Sequence, residues 1–269
     1  MSSKRILYVC QEIMPYLPEN RMSKLSRTLP QAMQERGFEI RTFMPRYGCI
    51  NERRNQLHEV IRLSGMNLII DDNDHQLIIK VASIPSARVQ IYFIDNEEYF
   101  QRKYVLTDET GKEFADNDER TIFFARGVIE TVKKLRWSPD VVHCHGWFAG
   151  MIAVYLRKLL GDDPLFAGVK VVVSLYRDGF AGTLDPNLGG KREGEGLQDE
   201  GLALLDEPTY PNYLKFLGAY ADGIVFAEEP VEEEVKTYFR GLGLPLLEAS
   251  DEENYADSYA EFYDRILQS

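Results

Sequence analysis

The stretch Ser138-Pro-Asp-Val-Val-His-Cys-His-Gly-Trp-Phe-Ala-Gly-Met151 constrains the fold more than any other part of the chain. Pro139 and Asp140 read as the end of a loop. Val141 and Val142 start a short apolar run of the kind found in strands covered on both faces of a parallel sheet. The run closes on His143, Cys144, His145 and Gly146, and a helical pattern begins at Trp147. A strand that ends in polar residues just before a helix is where open α/β sheets place their ligands. Two readings of the His-x-His pair stay open. They are ligand contacts at the mouth of a crevice, or hydrogen-bonded loop histidines with a structural role. No second Cys/His cluster completes a zinc site, so no metal is expected.

The N-terminal segment has the same grammar. Arg5–Cys10 reads as an apolar central strand, Gln11–Asn20 as a loop broken by Pro15 and Pro18, and Ser23–Arg36 as a helix. That helix carries Leu25, Leu29, Ala32 and Met33 on one face, and Gly37 ends it. Phe38–Met44 is a second strand, which completes a Rossmann-like β-loop-α-β start. The fingerprint G-x-G-x-x-G is absent from its loop, so no dinucleotide cofactor is expected.

Between Leu57 and Asp95, runs at 67–70, 76–81 and 89–94 are split by Asp71-Asp-Asn-Asp74 and Pro85. This predicts antiparallel pairing at one edge of the sheet. Helices are predicted over 117–135, 147–160, 211–220, 231–239 and 255–267, and further strands over 170–174 and 223–226. The Gly- and acid-rich stretch 176–208 reads as a mobile loop. Its glycines do not stand between a strand and a helix in phosphate-loop spacing. The last helix carries Tyr255, Tyr259, Phe262, Tyr263 and Ile266 along one face, a stripe that predicts core packing.

The fold class expected is therefore α/β: a single Rossmann-like domain over 1–245 with an antiparallel edge insertion. A C-terminal segment, 246–269, carries a helix packed back on it. The formal net charge is −12 over 269 residues. That argues against sequence-independent binding to nucleic acid or an anionic membrane. Cys10, Cys49 and Cys144 lack metal-ligand spacing and fit reduced, buried thiols in the cytoplasm. No signal peptide and no stretch of transmembrane length is read.

Several stretches, in order, resemble the N-terminal half of bacterial glycogen synthase and plant starch synthase, glycosyltransferase family 5. Leu29-Pro-Gln-Ala-Met33, Gly37-Phe-Glu-Ile-Arg41 and Met44-Pro-Arg-Tyr-Gly48 are similar to that family's "LPkaL…GHeVrv…PrYg". Val89–Asn96 with Tyr99-Phe100 resembles "vyfidn..yF". Asp116-Asn117, Arg120 and Phe123-Phe124 resemble "yxDNxxRFxxF". Trp137–Met151 resembles "WxPDvvHaHDWHtGl". Tyr213-Leu-Lys215 with Tyr220-Ala-Asp222 resembles "flKagi.yAD". The resemblance implies a GT-B glucan synthase of two Rossmann-like domains. The acceptor glucan lies mainly on the first domain, the ADP-glucose site mostly on the second, and catalysis occurs between them. The expectation is that this chain corresponds to the first half.

The same comparison exposes departures at the polar positions. The family's K-T-G-G-L-x-D loop, which meets the donor phosphates, is matched here by Pro18-Glu-Asn-Arg-Met-Ser-Lys24. Pro18 supplies neither a charge nor an N–H, Glu19 adds negative charge, and both glycines are gone. Gly146 stands for the aspartate of H-D-W-H, and Phe148 for its last histidine. Tyr176 and Arg177 stand for the histidine and asparagine of "IHN", and Ala181 for the glutamine of "YQG". Packing residues are kept while polar ones are exchanged, the pattern of a pseudoenzyme. The expected function is therefore non-catalytic, through a protein partner or a small sugar or anion in the residual cleft. The alternative is a glycosyltransferase that works with a separate second half or a changed donor. In that case His145 is the catalytic candidate by resemblance. The ligand-binding candidates are Arg21, Lys24, His143, Phe148, Tyr176 and Arg177.

Overall fold

The computed structural model describes residues 3–85, 87–188, 200–229, 231–248 and 254–269. In chain order the elements are β1 (Arg5–Cys10), α1 (Arg21–Glu35), β2 (Glu39–Pro45), β3 (His58–Glu59), β4 (Met66–Ile70), β5 (Asn73–Ile84) and β6 (Val89–Asp95). They continue with α2 (Glu97–Phe100), α3 (Asn117–Leu135), β7 (Val141–His145), α4 (Met151–Lys158), β8 (Lys170–Leu175), α5 (Tyr210–Gly218), β9 (Gly223–Phe226), α6 (Glu233–Gly241), β10 (Leu246–Glu248) and α7 (Tyr255–Gln268).

One sheet runs in the order β10-β9-β8-β7-β1-β2-β6-β5-β3, with β4 also paired to β5. From β10 through β6 every neighbour is parallel. Strands β3, β4 and β6 all pair β5 antiparallel. Strand β1 has β2 on one side and β7 on the other, so the winding reverses there and opens a crevice beyond the carboxyl ends of β1 and β7. The β4–β5 turn is the two-residue Asp71-Asp72, at φ 47° and 62°. Paired positive φ angles are what a tight hairpin of this hand requires, and aspartate tolerates them.

The sheet confirms the Rossmann-like core and the antiparallel edge, and changes several details. Strand β6 was read with the edge insertion, but it is parallel to β2 and antiparallel to β5, so it joins the two regimes. Residues 246–248, expected to lead into the last helix, form β10 and extend the sheet; three residues are too few to leave a periodicity. The helix expected over 147–160 is divided into a 3₁₀ turn, Trp147–Ala149, and α4. Gly150 lies at this break, where a Cβ would come within 2.3 Å of Leu217 on α5. The loop read over 176–208 contains short 3₁₀ turns at Pro186–Leu188 and Glu200–Leu205; residues 189–199 lie outside the described residues. Cys10 and Cys144 are buried free thiols as expected, whereas Cys49 is exposed.

The C-terminal helix packs back on the sheet. Tyr259, Phe262, Tyr263 and Ile266 of α7 are buried. Gly223 at the start of β9 permits the close approach, because a Cβ there would stand 2.6 Å from Ile266 and 3.0 Å from Phe262. Ion pairs Lys4–Asp264 and Arg36–Asp257 border the contact. Each large side chain buried stabilises by about 1.5–3 kcal/mol relative to exposure. Among the described residues no helix is long and apolar enough to cross a membrane.

Candidate functional site

At the switch point the loop after β1 and the turn after β7 are bonded to each other. The Gln11 N–H donates to the His145 carbonyl at 3.0 Å, and Gln11 Oε1 accepts from the Phe148 N–H at 3.1 Å. Between them Gly146 adopts φ 87°, ψ 158°, a region that essentially only glycine enters. The space its side chain would need is taken. A Cβ would meet Gln11 Oε1 at 2.7 Å, Met22 Cε at 2.9 Å and Asp178 Oδ2 at 3.0 Å. Asp178 Oδ2 accepts from the Trp147 N–H at 3.2 Å, and Oδ1 accepts from the Tyr210 hydroxyl at 3.0 Å. Burial pushes the Asp178 carboxyl up to about 6, against the lowering effect of those two donors.

The N-terminus of α1, which the resemblance marks as the phosphate cradle, is satisfied by its own residues. Asn20 Oδ1 accepts from the Ser23 N–H at 2.7 Å, and Ser23 Oγ accepts from the Asn20 N–H at 2.9 Å, a reciprocal capping box. Asn20 Nδ2 donates to Glu12 at 2.5 Å, and burial raises the Glu12 carboxyl. Glu19 faces Lys24 across 3.7 Å in an exposed pair. The positive end of the helix dipole therefore sits beside two carboxyl groups, Glu12 and Glu19.

The residues singled out from the sequence divide into sealed and accessible groups. His143 and His145 share a sheet face, as i and i+2 must, and are fully buried with ring centroids 4.1 Å apart. His143 Nδ1 bonds the Tyr263 hydroxyl at 2.6 Å and Nε2 bonds Ser174 Oγ at 2.7 Å, so the ring is enclosed under α7. Both ring nitrogens of His143 are thus engaged within the protein. His145 Nδ1 bonds the Tyr176 hydroxyl at 2.6 Å, and burial pulls its pKa down to about 3, which keeps the ring neutral. Tyr176 is itself buried.

Phe148, another ligand-binding candidate, also lies in the interior. It is fully buried, 5.5 Å from the Trp147 ring, 6.1 Å from Phe124 and 5.6 Å from the buried Arg120 guanidinium. Near the surface, Arg21 Nε donates to the Ala227 carbonyl at 3.0 Å, Lys24 pairs with Glu19, and Arg177 is exposed. Sequence reasoning missed Gln11, Asp178 and Tyr210. For Asp178 the one signal available was the exchange of polar residues in the loop after β8; Gln11, just after β1, and Tyr210, at the start of α5, carried none. Among the described residues no cluster of three or more His, Cys, Asp or Glu is placed to hold a metal.

A family model for the starch synthase catalytic domain matches residues 5–247. Glycogen synthase of Chlorobium limicola is 39% identical over 180 residues, 65% of this chain and 37% of that protein. Glycogen synthase of Chlorobaculum parvum is 34% identical over 254 residues, 88% of this chain and 52% of that protein. The chain thus spans about half the length of these relatives or less. The catalytic domain of starch synthase IV from Arabidopsis thaliana, solved bound to ADP and acarbose, aligns with a TM-score of 0.72. The alignment covers 94% of this chain and 53% of that one at 15% identity, a likeness of fold. Since one family model runs from the first residue of β1 into β10, and the sheet it covers is the one described above, the chain belongs to the starch synthase catalytic domain family.

Proposed function

We propose that this glycogen-synthase-like protein acts by binding a partner protein or a small ligand, and that it does not transfer glucose through the family's donor-phosphate loop. The observation that carries this reading is the N-terminus of α1. Asn20 and Ser23 use each other's hydrogen-bonding groups, and Glu12 and Glu19 stand where a leaving diphosphate would bring its charge. Stabilising that leaving group calls for donors and positive charge. Pro18 has no N–H to offer, and Lys24 is paired with Glu19. A cytoplasmic location is part of the reading and rests on the free thiols of Cys10 and Cys144.

Two measurements test it. Purified chain incubated with ADP-glucose or UDP-glucose and glycogen is expected to give no transfer above a buffer blank. A bound ligand at 100 times its dissociation constant adds about 2.7 kcal/mol, a shift of several degrees in melting temperature. Millimolar ADP-glucose is expected to give no such saturable shift. Transfer by the chain alone, or a clear shift, overturns the proposal and favours a glycosyltransferase that works with a separate second half or a changed donor.

A further inference from the structure

Beside the switch-point crevice lies a cavity of about 410 Å³, between the loop after β8 and the first turns of α5 and α6. We propose that this cavity binds a hexose-sized ring carrying a single anionic group, a hexose monophosphate by chemical class. The proposal rests on the reading of the chain as a binding protein and gives that reading a site.

The volume falls in the range of small-molecule sites, and the walls mix apolar and polar surface in nearly equal parts, as a polar sugar ring requires. Phe180 and Tyr210 meet edge-to-face at 5.3 Å, and Leu214 and Val235 are buried beneath. The aromatic walls are fixed before any ligand arrives. The Tyr210 hydroxyl donates toward the Tyr176 carbonyl at 3.2 Å and Asp178 Oδ1 at 3.0 Å. Gly179 lets the Tyr210 ring lie against the backbone, since a Cβ there would be 2.9 Å from the ring. Thr209 caps α5 by accepting from the Asn212 N–H at 3.4 Å, and it also bridges to Thr183.

The charged groups set the ligand class. Arg177 lines the cavity, and its guanidinium makes no hydrogen bond or ion pair among the described residues; only its backbone N–H is engaged, with Glu228 at 3.3 Å. The other two cations singled out near the crevice are committed, Arg21 to the Ala227 carbonyl and Lys24 to Glu19. An uncommitted guanidinium in a chain of net charge −12 suits one phosphate, which its planar fork can grip with two parallel bonds. Among the described residues the lining offers no further cation for a second phosphate, and Glu232 there opposes it. That carboxylate accepts from sugar hydroxyls instead, while the aromatic walls take the apolar face of the ring. A nucleoside diphosphate sugar is thus disfavoured by the same residues that favour a sugar monophosphate.

The test is calorimetric titration of the full chain with glucose 1-phosphate, glucose and inorganic phosphate as separate probes. Glucose 1-phosphate is expected to bind saturably and at least ten-fold more tightly than either of the others. Arg177→Gln, at an exposed position, is expected to weaken glucose 1-phosphate at least ten-fold and leave glucose unchanged. Val231→Trp, at the half-buried rim, is expected to abolish binding of all three, with the melting curve confirming that the variant is folded. Three results overturn the proposal: no binding of glucose 1-phosphate to the unaltered chain, binding indifferent to both substitutions, or inorganic phosphate binding as well as the sugar phosphate. Glucosyl transfer measured in parallel separates the two claims. Transfer defeats the non-catalytic reading whatever the calorimetry shows, whereas absence of both transfer and binding defeats the site alone.

Discussion

Replacing Gly146 with alanine probes the crevice at its tightest point. The backbone there, at φ 87° and ψ 158°, costs a non-glycine residue about 1–3 kcal/mol. The added Cβ would stand 2.7 Å from Gln11 Oε1, 2.9 Å from Met22 Cε and 3.0 Å from Asp178 Oδ2. All three are side-chain ends and can move. Two of them accept backbone hydrogen bonds, from Phe148 and Trp147, and loosening each loses about 1 kcal/mol. Together these give a destabilisation of about 3–5 kcal/mol, a large part of the net stability of a typical domain. Urea denaturation at pH 7 reads it as a lower midpoint at unchanged slope. In an Asp178→Ala background one of the three neighbours is gone, so the effect of Gly146→Ala should shrink by about 1 kcal/mol while the backbone strain persists. A Gly146→Ala variant within about 0.5 kcal/mol of the original chain would refute the reasoning. The crevice would then have room for the aspartate of the motif.

Tyr263→Phe removes the hydroxyl shared by His143 Nδ1 and Tyr8, and should cost about 1–3 kcal/mol in urea denaturation with helix content unchanged by circular dichroism. Arg120→Ala leaves the Tyr99 and Val105 carbonyls and Asn117 Oδ1 without their donor, and should cost roughly 3–5 kcal/mol. Arg120→Lys should rescue only part of this, because an ammonium cannot reproduce the fork. Burial holds His145 at about 3, so between that value and about 6.5 the unfolded chain binds more protons than the folded one. His145 therefore contributes stability above pH 6.5 that is lost as pH falls, about 3 kcal/mol between pH 7 and 4, and His145→Gln should flatten that slope. Asp178 acts with the opposite sign, because its raised carboxyl contributes stability at low pH that is lost as pH rises through about 6. Because the two groups oppose each other between pH 7 and 4, the original chain and His145→Gln are compared directly, and the same pH slope in both would contradict the burial of His145.

The elements legible in the sequence are those whose signal is local. The helix predicted over 117–135 and the strand predicted over 223–226 match α3 and β9 because their apolar positions repeat at helix or strand spacing. Asp71-Asp72 announced its turn by residue type. The polar interior was not legible, because its partners come from distant segments. His143 is closed off by Tyr263, 120 residues away, and by Ser174, 31 residues away. A strand end written His-Cys-His reads as a mouth until α7 is known to cover it. The packing of Phe148 was hidden for the same reason, because its neighbours Phe124 and Arg120 lie on another helix. Asp178 meets the Trp147 N–H from 31 positions downstream, so nothing near Gly146 hinted that a carboxylate occupies its side-chain space.

That distance bears on how the polar exchanges are related. Taken one at a time, glycine for aspartate at 146 or asparagine for glycine at 20 reads as the loss of a catalytic part. In the folded chain the exchanges are coupled: the space left open at Gly146 is filled by Gln11 and Asp178, and the donor at Ser23 is taken by Asn20. A ligand entering the crevice would have to displace bonds to the Trp147, Phe148 and Ser23 N–H groups, each worth about 1 kcal/mol net, before gaining any contact of its own. At the cavity beside Arg177 the guanidinium has no such bond to surrender among the described residues. On the proposed reading, the free-energy balance therefore favours recognition at the flank over the crevice. Asp178, which helps fill the space at Gly146, lies in the same loop as Tyr176, Arg177 and Gly179, which line the flanking cavity.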